Sequence, residues 1–253
     1  PDTYKIRGYV EEQHPKSAVV VGGGYIGVEM AENLKNAGVD VTIVELADHV
    51  IAPLDYDMAC DVHRYLKEKG VGLILQNGVQ SIQEEGGALR LTLSDGEIDT
   101  DLVIMAVGVR PDTALAKEAG LELNRRGAIV VDEHMLTSDP DIYAVGDAVE
   151  VTDFVTGEKA YIPLAGPANK QGRIAADNIC GIPTTYKNTQ GSAVLKIFDM
   201  TVATTGVNER AAKAAGLDYD KVYTFSNSHA SYYPGSTGMS IKTLYEKGTG
   251  KIL

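Results

Sequence analysis

The sequence predicts an α/β fold built on a parallel sheet, and three observations carry that prediction. Short apolar runs alternate with amphipathic stretches from residue 17 to about 112. A G-x-G-x-x-G spacing at Gly22, Gly24 and Gly27 sits where the first apolar run gives way to the first amphipathic stretch. A second short apolar run, at residues 142–145, closes on a Gly-Asp pair, Gly146-Asp147. Parallel strands need a crossover between them, usually a helix, so alternation of this kind is the pattern a parallel sheet leaves in a sequence.

Composition limits what these elements can belong to. The 253 residues are 44% hydrophobic, enough for one large core or two ordinary ones, and nothing approaches a run of 18 apolar residues that could span a membrane. With 23 Lys and Arg against 35 Asp and Glu, the net charge of -12 repels nucleic acid and anionic membrane alike, so neither is expected as a partner. An anionic ligand must then be held by local geometry. Cys60 and Cys180 lie far apart without C-x-x-C or C-x4-C spacing, which argues against a disulfide framework or a redox pair within the chain. A reducing, cytoplasmic setting follows as the expectation. The histidines have no metal-ligand spacing, and no metal is expected.

In chain order, residues 18–21 (AVVV) read as a buried strand, and helical spacing begins at Tyr25 with Ile26, Met30, Ala31 and Leu34. VDVTIVEL reads as a strand, DYDMACDVHRYLKEKG as a helix and VGLIL as a strand. ALRLTLSDGEIDT alternates about a hairpin turn at Asp95-Gly96, and DLVIMAV reads as a further buried strand. Residues 1–112 thus form a nucleotide-binding α/β unit with a small antiparallel insert. Residues 113–185 hold the 142–145 strand and a helix, ANKQGRIAADNI, ended by Gly181 and Pro183. Residues 186–253 are strand-rich with one helix near 209–215, and residues 247–250 look like a hairpin turn. The chain opens at Pro1 rather than Met, and both ends read as cuts through a longer protein. Cys60, on a helix with Met58, Val62 and Leu66, and Cys180, at an apolar helix end, read as packing residues.

The glycines have a chemical reading. A strand, then G-x-G-x-x-G, then a helix gives a tight bend, close backbone approach to a pyrophosphate, and helix amides with partial positive charge for the phosphates. Glu45 ends the next strand at the distance where an acid takes the ribose hydroxyls of a dinucleotide. It would repel a 2'-phosphate, and LADHVIA after it holds no Arg or Lys, so NADH is expected over NADPH. Asp147, freed by Gly146 beyond a strand end, could accept hydrogen bonds from sugar or ribitol hydroxyls; as bare pattern it is also an ordinary turn.

VVGGGYIGVEMAENL, VTIVE, VIMAVGVRPD and TSDPDIYAVGDA, in this order, resemble the pyridine nucleotide-disulfide oxidoreductases, two-nucleotide flavoproteins, from about residue 17 to the end. The resemblance implies a Rossmann-like NAD(P)H domain of three layers (1–112), inserted in a split FAD domain whose second half is 113–185. The start of an α+β dimerisation domain follows (186–253), so the full-length protein is expected to be a homodimer. Within these motifs it implies cofactor contacts at Gly22, Gly24, Tyr25, Ile26, Gly27, Glu29, Glu45, Gly108, Thr137, Gly146 and Asp147. Tyr25 would cover the flavin until nicotinamide displaces it, and Asp147 would hold the FAD ribitol.

PLAGPANKQGR and HASYYPG resemble the branch that reduces coenzyme A disulfide or persulfide, close to NADH oxidases and peroxidases. Leu164 and Ala165 would open a helix whose first amides favour the reduced flavin. Tyr233 and His229 are then the catalytic candidates, with Asn169 and Tyr232 at the substrate. A phenol can donate a hydrogen bond to a leaving thiolate, although a Tyr-Tyr before Pro-Gly is also a packing turn.

The activity implied is transfer of a hydride from NADH to FAD and on to a thiol or disulfide centre. Coenzyme A disulfide or persulfide is the expected acceptor; oxygen or peroxide, or a ferredoxin or rubredoxin, are the alternatives, and a non-catalytic NADH-responsive protein is the most distant one. The family's first FAD fingerprint and its reactive cysteine are not found in these residues, so the piece is not expected to turn over alone.

Overall fold

The computed structural model describes residues 2–253. Two compact units emerge, one of Pro1–Gly108, Leu195–Val202 and Val222–Lys242, the other of Val109–Val194, Ala203–Lys221 and Thr243–Leu253.

In the first unit, α1 (Asp2–Gln13) precedes β1 (Ser17–Val21), α2 (Tyr25–Asn36), β2 (Asp40–Val44), α3 (Tyr56–Glu68) and β3 (Gly72–Ile74). Then come β4 (Val79–Glu85), β5 (Ala88–Leu93), β6 (Glu97–Thr100) and β7 (Leu102–Met105). A parallel sheet runs β3-β2-β1-β7, with Val20 opposite Ile43 on one side and Ile104 on the other. The two-residue period of a strand decides its layers. Ala18 and Val20 join Val28, Ala31 and Leu34 of α2 and Val62 and Leu66 of α3 in one core. Val19, Val21 and Val44 point the other way, onto Leu91 and Leu93 of the antiparallel sheet β4-β5-β6. Helices, parallel sheet and antiparallel sheet make three layers, as the family resemblance implied. Asp101 ties the layers at one end: its carboxylate accepts the N–H of Ser17 (3.0 Å) and Lys16 (2.7 Å), and these bonds hold its pKa below the usual carboxylate range.

The second unit contains α4 (Ala114–Glu118), a 3-10 turn (Gly146–Ala148), β8 (Val151–Thr152), β9 (Lys159–Ala160) and α5 (Ala165–Ile179). Ala116, Ile129, Val149 and Val151 form one buried cluster of this unit, and Ala212, Leu244 and Leu253 form another. The chain continues through β10 (Ala193–Ile197), β11 (Met200–Thr204), α6 (Glu209–Ala214), β12 (Tyr219–Asn227) and β13 (Gly238–Glu246). Asn208 caps α6 by accepting the Ala211 N–H (2.9 Å). A turn at 247–250 closes as expected, with the Gly250 N–H on the Glu246 carbonyl and a bridge from Tyr245 to Ile252.

Several expectations need correction. Residues 142–145 form no ladder; one bridge joins Tyr143 to Leu136, and Val145 is exposed. Met105 and Val107, read as part of a buried strand, are exposed. So is Ile26, because the buried stripe of α2 runs through Gly27, Val28, Ala31 and Leu34. Cys60 and Cys180 are exposed rather than packed. Cys60 stands two residues from both Met58 and Val62, and two residues turn an α-helix through about 200°, onto the solvent side. Among the described residues no helix is long and apolar enough to cross a membrane.

Candidate nucleotide-binding site

The glycine turn joins β1 to α2 and is fixed from three sides. The Gly22 N–H donates to the Val44 carbonyl (2.8 Å), and the Gly23 carbonyl accepts the Ile51 N–H (2.7 Å). The Gly23 N–H donates to the Glu45 carboxylate (2.5 Å), whose other oxygen accepts the Ala47 N–H (2.8 Å). Each glycine of the motif has its own reason. Gly22 has φ +107°, and a Cβ there would stand 2.3 Å from the Ala106 carbonyl oxygen. A Cβ at Gly27 would stand 1.9 Å from the Gly22 oxygen, so α2 seats on the turn only because that position is bare. At Gly24 a Cβ would meet nothing within 4 Å, and the backbone (φ -72°, ψ -175°) suits any residue. No internal contact demands glycine there. What glycine leaves at that point is an open backbone at the head of α2, where no side chain caps the helix.

Glu45 follows β2, and its carboxylate lies against the turn. Each carboxylate oxygen carries two lone pairs, so with one backbone N–H apiece both keep capacity for a ribose hydroxyl. The residues present therefore fit a dinucleotide. Tyr25, Ile26 and Glu29 lie in the first two turns of α2, and Gly108, with φ +100°, follows β7 two residues beyond Ala106.

The loop after Glu45 folds inward on two buried histidines, His49 and His63. His63, 8% exposed on α3, accepts the Val50 N–H at Nε2 (3.2 Å). His49 pairs Nδ1 with Asp48 (2.5 Å) and Nε2 with the Leu54 carbonyl (3.1 Å), and Tyr56 stands edge-on to both rings. Burial lowers the His63 pKa below 6.5, helped by His49 and Lys67 and opposed by Asp48. The linkage sign follows. With the folded value depressed, the loop keeps full stability above about pH 6.5 and loses it as pH falls from there through the folded value. Protonation would also turn the acceptor of the Val50 N–H into a second donor. NAD+ affinity should therefore weaken below pH 6.5, and His63→Gln should flatten the fall; a titration of NAD+ binding against pH for both proteins checks this.

The second unit carries a different constellation. Gly146, at φ +80°, opens the 3-10 turn and presents Asp147 to solvent. Gln171 of α5, 1% exposed, anchors the turn by accepting the Gly146 N–H (2.8 Å). Tyr161 lies close enough to Asp147 for its pKa to be raised, by burial first and by that carboxylate second. Thr137 is buried, its Oγ1 donating to the Asp139 carbonyl and its N–H to the Ile142 carbonyl. Helix α5 begins at Ala165 with Leu164 at its N-cap and no side-chain cap, leaving its first amides for another acceptor. An exposed carboxylate on an anchored turn can accept hydroxyl protons, so these residues fit a polyol group. Asn169 turns its amide onto the Ala165 carbonyl (3.0 Å). Neither Gln171 nor Tyr161 was singled out from sequence, although Gln171 lies inside the PLAGPANKQGR motif.

Tyr232 and Tyr233 stand between β12 and β13, 82% and 60% exposed, with ring centroids 4.9 Å apart. His229 pairs Nδ1 with Ser228 Oγ (3.2 Å). Among the described residues no group of three His, Cys, Asp or Glu could hold a metal ion.

The model of the pyridine nucleotide-disulphide oxidoreductases matches residues 5–172, and that of their dimerisation domain matches residues 192–253. The chain belongs to this family. It is 40% identical to an NADH oxidase of Methanocaldococcus jannaschii, covering 100% of this chain and 56% of that protein. It is 33% identical to an NAD(P)H coenzyme A polysulfide/persulfide reductase of Pyrococcus horikoshii, covering 100% and 57%. Among solved structures, reduced CoADR-RHD of Bacillus anthracis superposes with a TM-score of 0.95 at 50% identity, covering 100% of this chain and 45% of that one. An NAD-dependent persulfide reductase from A. fulgidus gives 0.95 at 42%, covering 99% and 46%. This member of the pyridine nucleotide-disulphide oxidoreductases spans about half the length of the curated relatives it matches.

Proposed function

We propose that this chain is part of an FAD-dependent oxidoreductase that passes a hydride from NADH to FAD and on to a thiol or disulfide centre, with coenzyme A disulfide or persulfide as acceptor. The observation that carries the reading is the open backbone at Gly24 above the head of α2, with the Glu45 carboxylate on the same turn. Residues 1–112 would hold NADH, 113–185 would form the second half of the FAD domain, and 186–253 would serve dimerisation. A cytoplasmic homodimer belongs to the same proposal.

In this reading Gly22, Gly24 and Gly27 bring backbone N–H groups to the NADH pyrophosphate, and Glu45 accepts the ribose hydroxyls. Tyr25, Ile26, Glu29 and Gly108 border that nucleotide. Gly146, Asp147, Thr137, Leu164 and Ala165 serve FAD: Asp147 accepts its ribitol hydroxyls, and the first amides of α5 favour negative charge on it. FAD, when bound, supplies the two-electron relay between nicotinamide and thiol. Tyr233 donates a hydrogen bond to the leaving thiolate and His229 is its catalytic companion, while Tyr232 and Asn169 are assigned to substrate binding. The names of the coenzyme A-linked relatives support this acceptor, and the exposure of both tyrosines leaves them available to it.

In the full-length protein Tyr233→Phe should slow disulfide or persulfide reduction about tenfold to a hundredfold while leaving reduction of the flavin by NADH unchanged. Rapid-mixing measurements of the two steps decide it; equal loss in both would contradict the role. A second reading, an NADH oxidase with oxygen as acceptor, is favoured by the name of the Methanocaldococcus relative. NADH consumption with oxygen alone, compared with coenzyme A disulfide under argon, separates the two.

A further inference from the structure

Lys242 is the least expected charge in the structure. It lies on β13 with its side chain only 4% exposed, and its ammonium meets Asp55 at 2.8 Å and both oxygens of Asp57 at 2.8 and 3.1 Å. Tyr223, across on β12, donates its hydroxyl to Asp57 (2.5 Å), and the ammonium lies 5.5 Å from the centroid of the same tyrosine ring. Asp55 is the N-cap of α3 and Asp57 sits in its first turn. Burial opposes ionisation of Asp57, but the bonds from Lys242, Tyr223 and the Met58 N–H outweigh it and hold its pKa below the usual carboxylate range. This is no exposed pair of negligible worth. Removing the cation would leave two carboxylates, one of them largely buried, without it.

What the cluster holds is a ribbon that cannot hold itself. β12 and β13, nine residues each, form a two-stranded sheet whose residues are mostly exposed, and among the described residues only the far end of β13 has a further neighbour, through the bridge from Tyr245 to Ile252. A two-stranded ribbon is marginal in water, so its direction is set by whatever grips it. Lys242 and Tyr223 grip it on one strand each, at one helix end. Lys242 is four residues from Gly238, where β13 starts, and at about 3.3 Å per residue that places the anchor about 13 Å along the strand from the turn bearing Tyr232 and Tyr233.

We propose that Lys242 is a positioning residue: by clamping the β12–β13 ribbon to the first turn of α3, it fixes where the tyrosine turn stands for the thiol step. The proposal rests on the reading of Tyr233 given above, and its test has a readout independent of that reading. In the full-length flavoprotein, Lys242→Met should raise amide hydrogen exchange across residues 222–242 about tenfold or more. It should slow the thiol step about tenfold, since a displacement of about 1 Å is enough for such a loss, and leave the rate of flavin reduction at saturating NADH within about twofold. Lys242→Arg, which keeps the charge, should restore most of both losses. If Lys242→Met does not fold, Tyr223→Phe removes one hydroxyl contact and should move the same two readouts in the same direction by about twofold.

Unchanged exchange in the ribbon would overturn the clamp, as would parallel loss of flavin reduction and thiol reduction. If Tyr233→Phe left the thiol step intact while Lys242→Met loosened the ribbon, the assignment of the tyrosine would fail and the clamp would stand.

Discussion

Gly24→Val should abolish measurable NADH binding and leave the fold as it is. The backbone at Gly24 lies in an extended conformation open to any L-residue, and a Cβ there meets nothing within 4 Å, so the protein itself gives valine no reason to strain. The side chain would instead fill the volume through which a pyrophosphate approaches the head of α2. Losing two charge-assisted hydrogen bonds at about 1.5–3 kcal/mol each weakens binding by at least about a hundredfold. Gly27→Ala makes the contrast. Its Cβ would stand 1.9 Å from the Gly22 carbonyl oxygen, which is backbone and cannot swing aside, so the cost falls on the fold at about 3 kcal/mol or more. Calorimetric titration beside thermal denaturation distinguishes them: Gly24→Val loses binding at an unchanged melting temperature, and Gly27→Ala lowers the melting temperature. A destabilised Gly24→Val would mean that the open face serves the fold and not a ligand.

Glu45→Arg should move cofactor preference toward NADPH, and at a larger cost than sequence reasoning allows. The ratio of kcat/KM for NADPH over NADH should rise by about a hundredfold, as a carboxylate that repels a 2'-phosphate gives way to a guanidinium that pairs with it. The structure adds that the Glu45 carboxylate also accepts the Gly23 and Ala47 N–H groups, so the arginine leaves the glycine turn without that latch. NADPH efficiency in the variant should therefore stay below the parent's NADH efficiency. Glu45→Gln, which keeps an acceptor for one of these N–H groups, should retain more of the NADH activity than the arginine variant. An unchanged preference in Glu45→Arg would remove Glu45 from the ribose.

The first unit was legible where packing imposes a period. Residues 17–44 bury alternate strand residues against two different layers, and one stripe of α2 against the sheet, so strand, turn, helix and strand follow from apolar spacing alone. Elements that bury little were missed. β4 (VQSIQEE) has no fully buried residue, and α1 touches the core only through Ile6 and Val10. Residues 142–145 failed in the opposite sense. Their apolar character promises a strand, but a ladder needs a neighbour, and Tyr143 finds a single bridging partner in Leu136.

At the site, the residue types were legible and their attachments were not. Glu45 could be read from its spacing to the glycines, whereas its bond to Gly23 depends on how the 46–54 loop folds over His49 and His63. Gln171 and Lys242 illustrate the same limit. A glutamine inside a helix and a lysine inside a strand read as solvated residues, and only the tertiary arrangement makes one an anchor for Gly146 and the other a counterion for Asp55 and Asp57.

The most direct test is an electron-density map of the full-length protein crystallised with FAD and soaked with NADH. The NADH pyrophosphate is expected against Gly24 and the first amides of α2, with its adenosine ribose on Glu45. Density for the FAD pyrophosphate in that turn, or NADH bound away from it, would contradict the account.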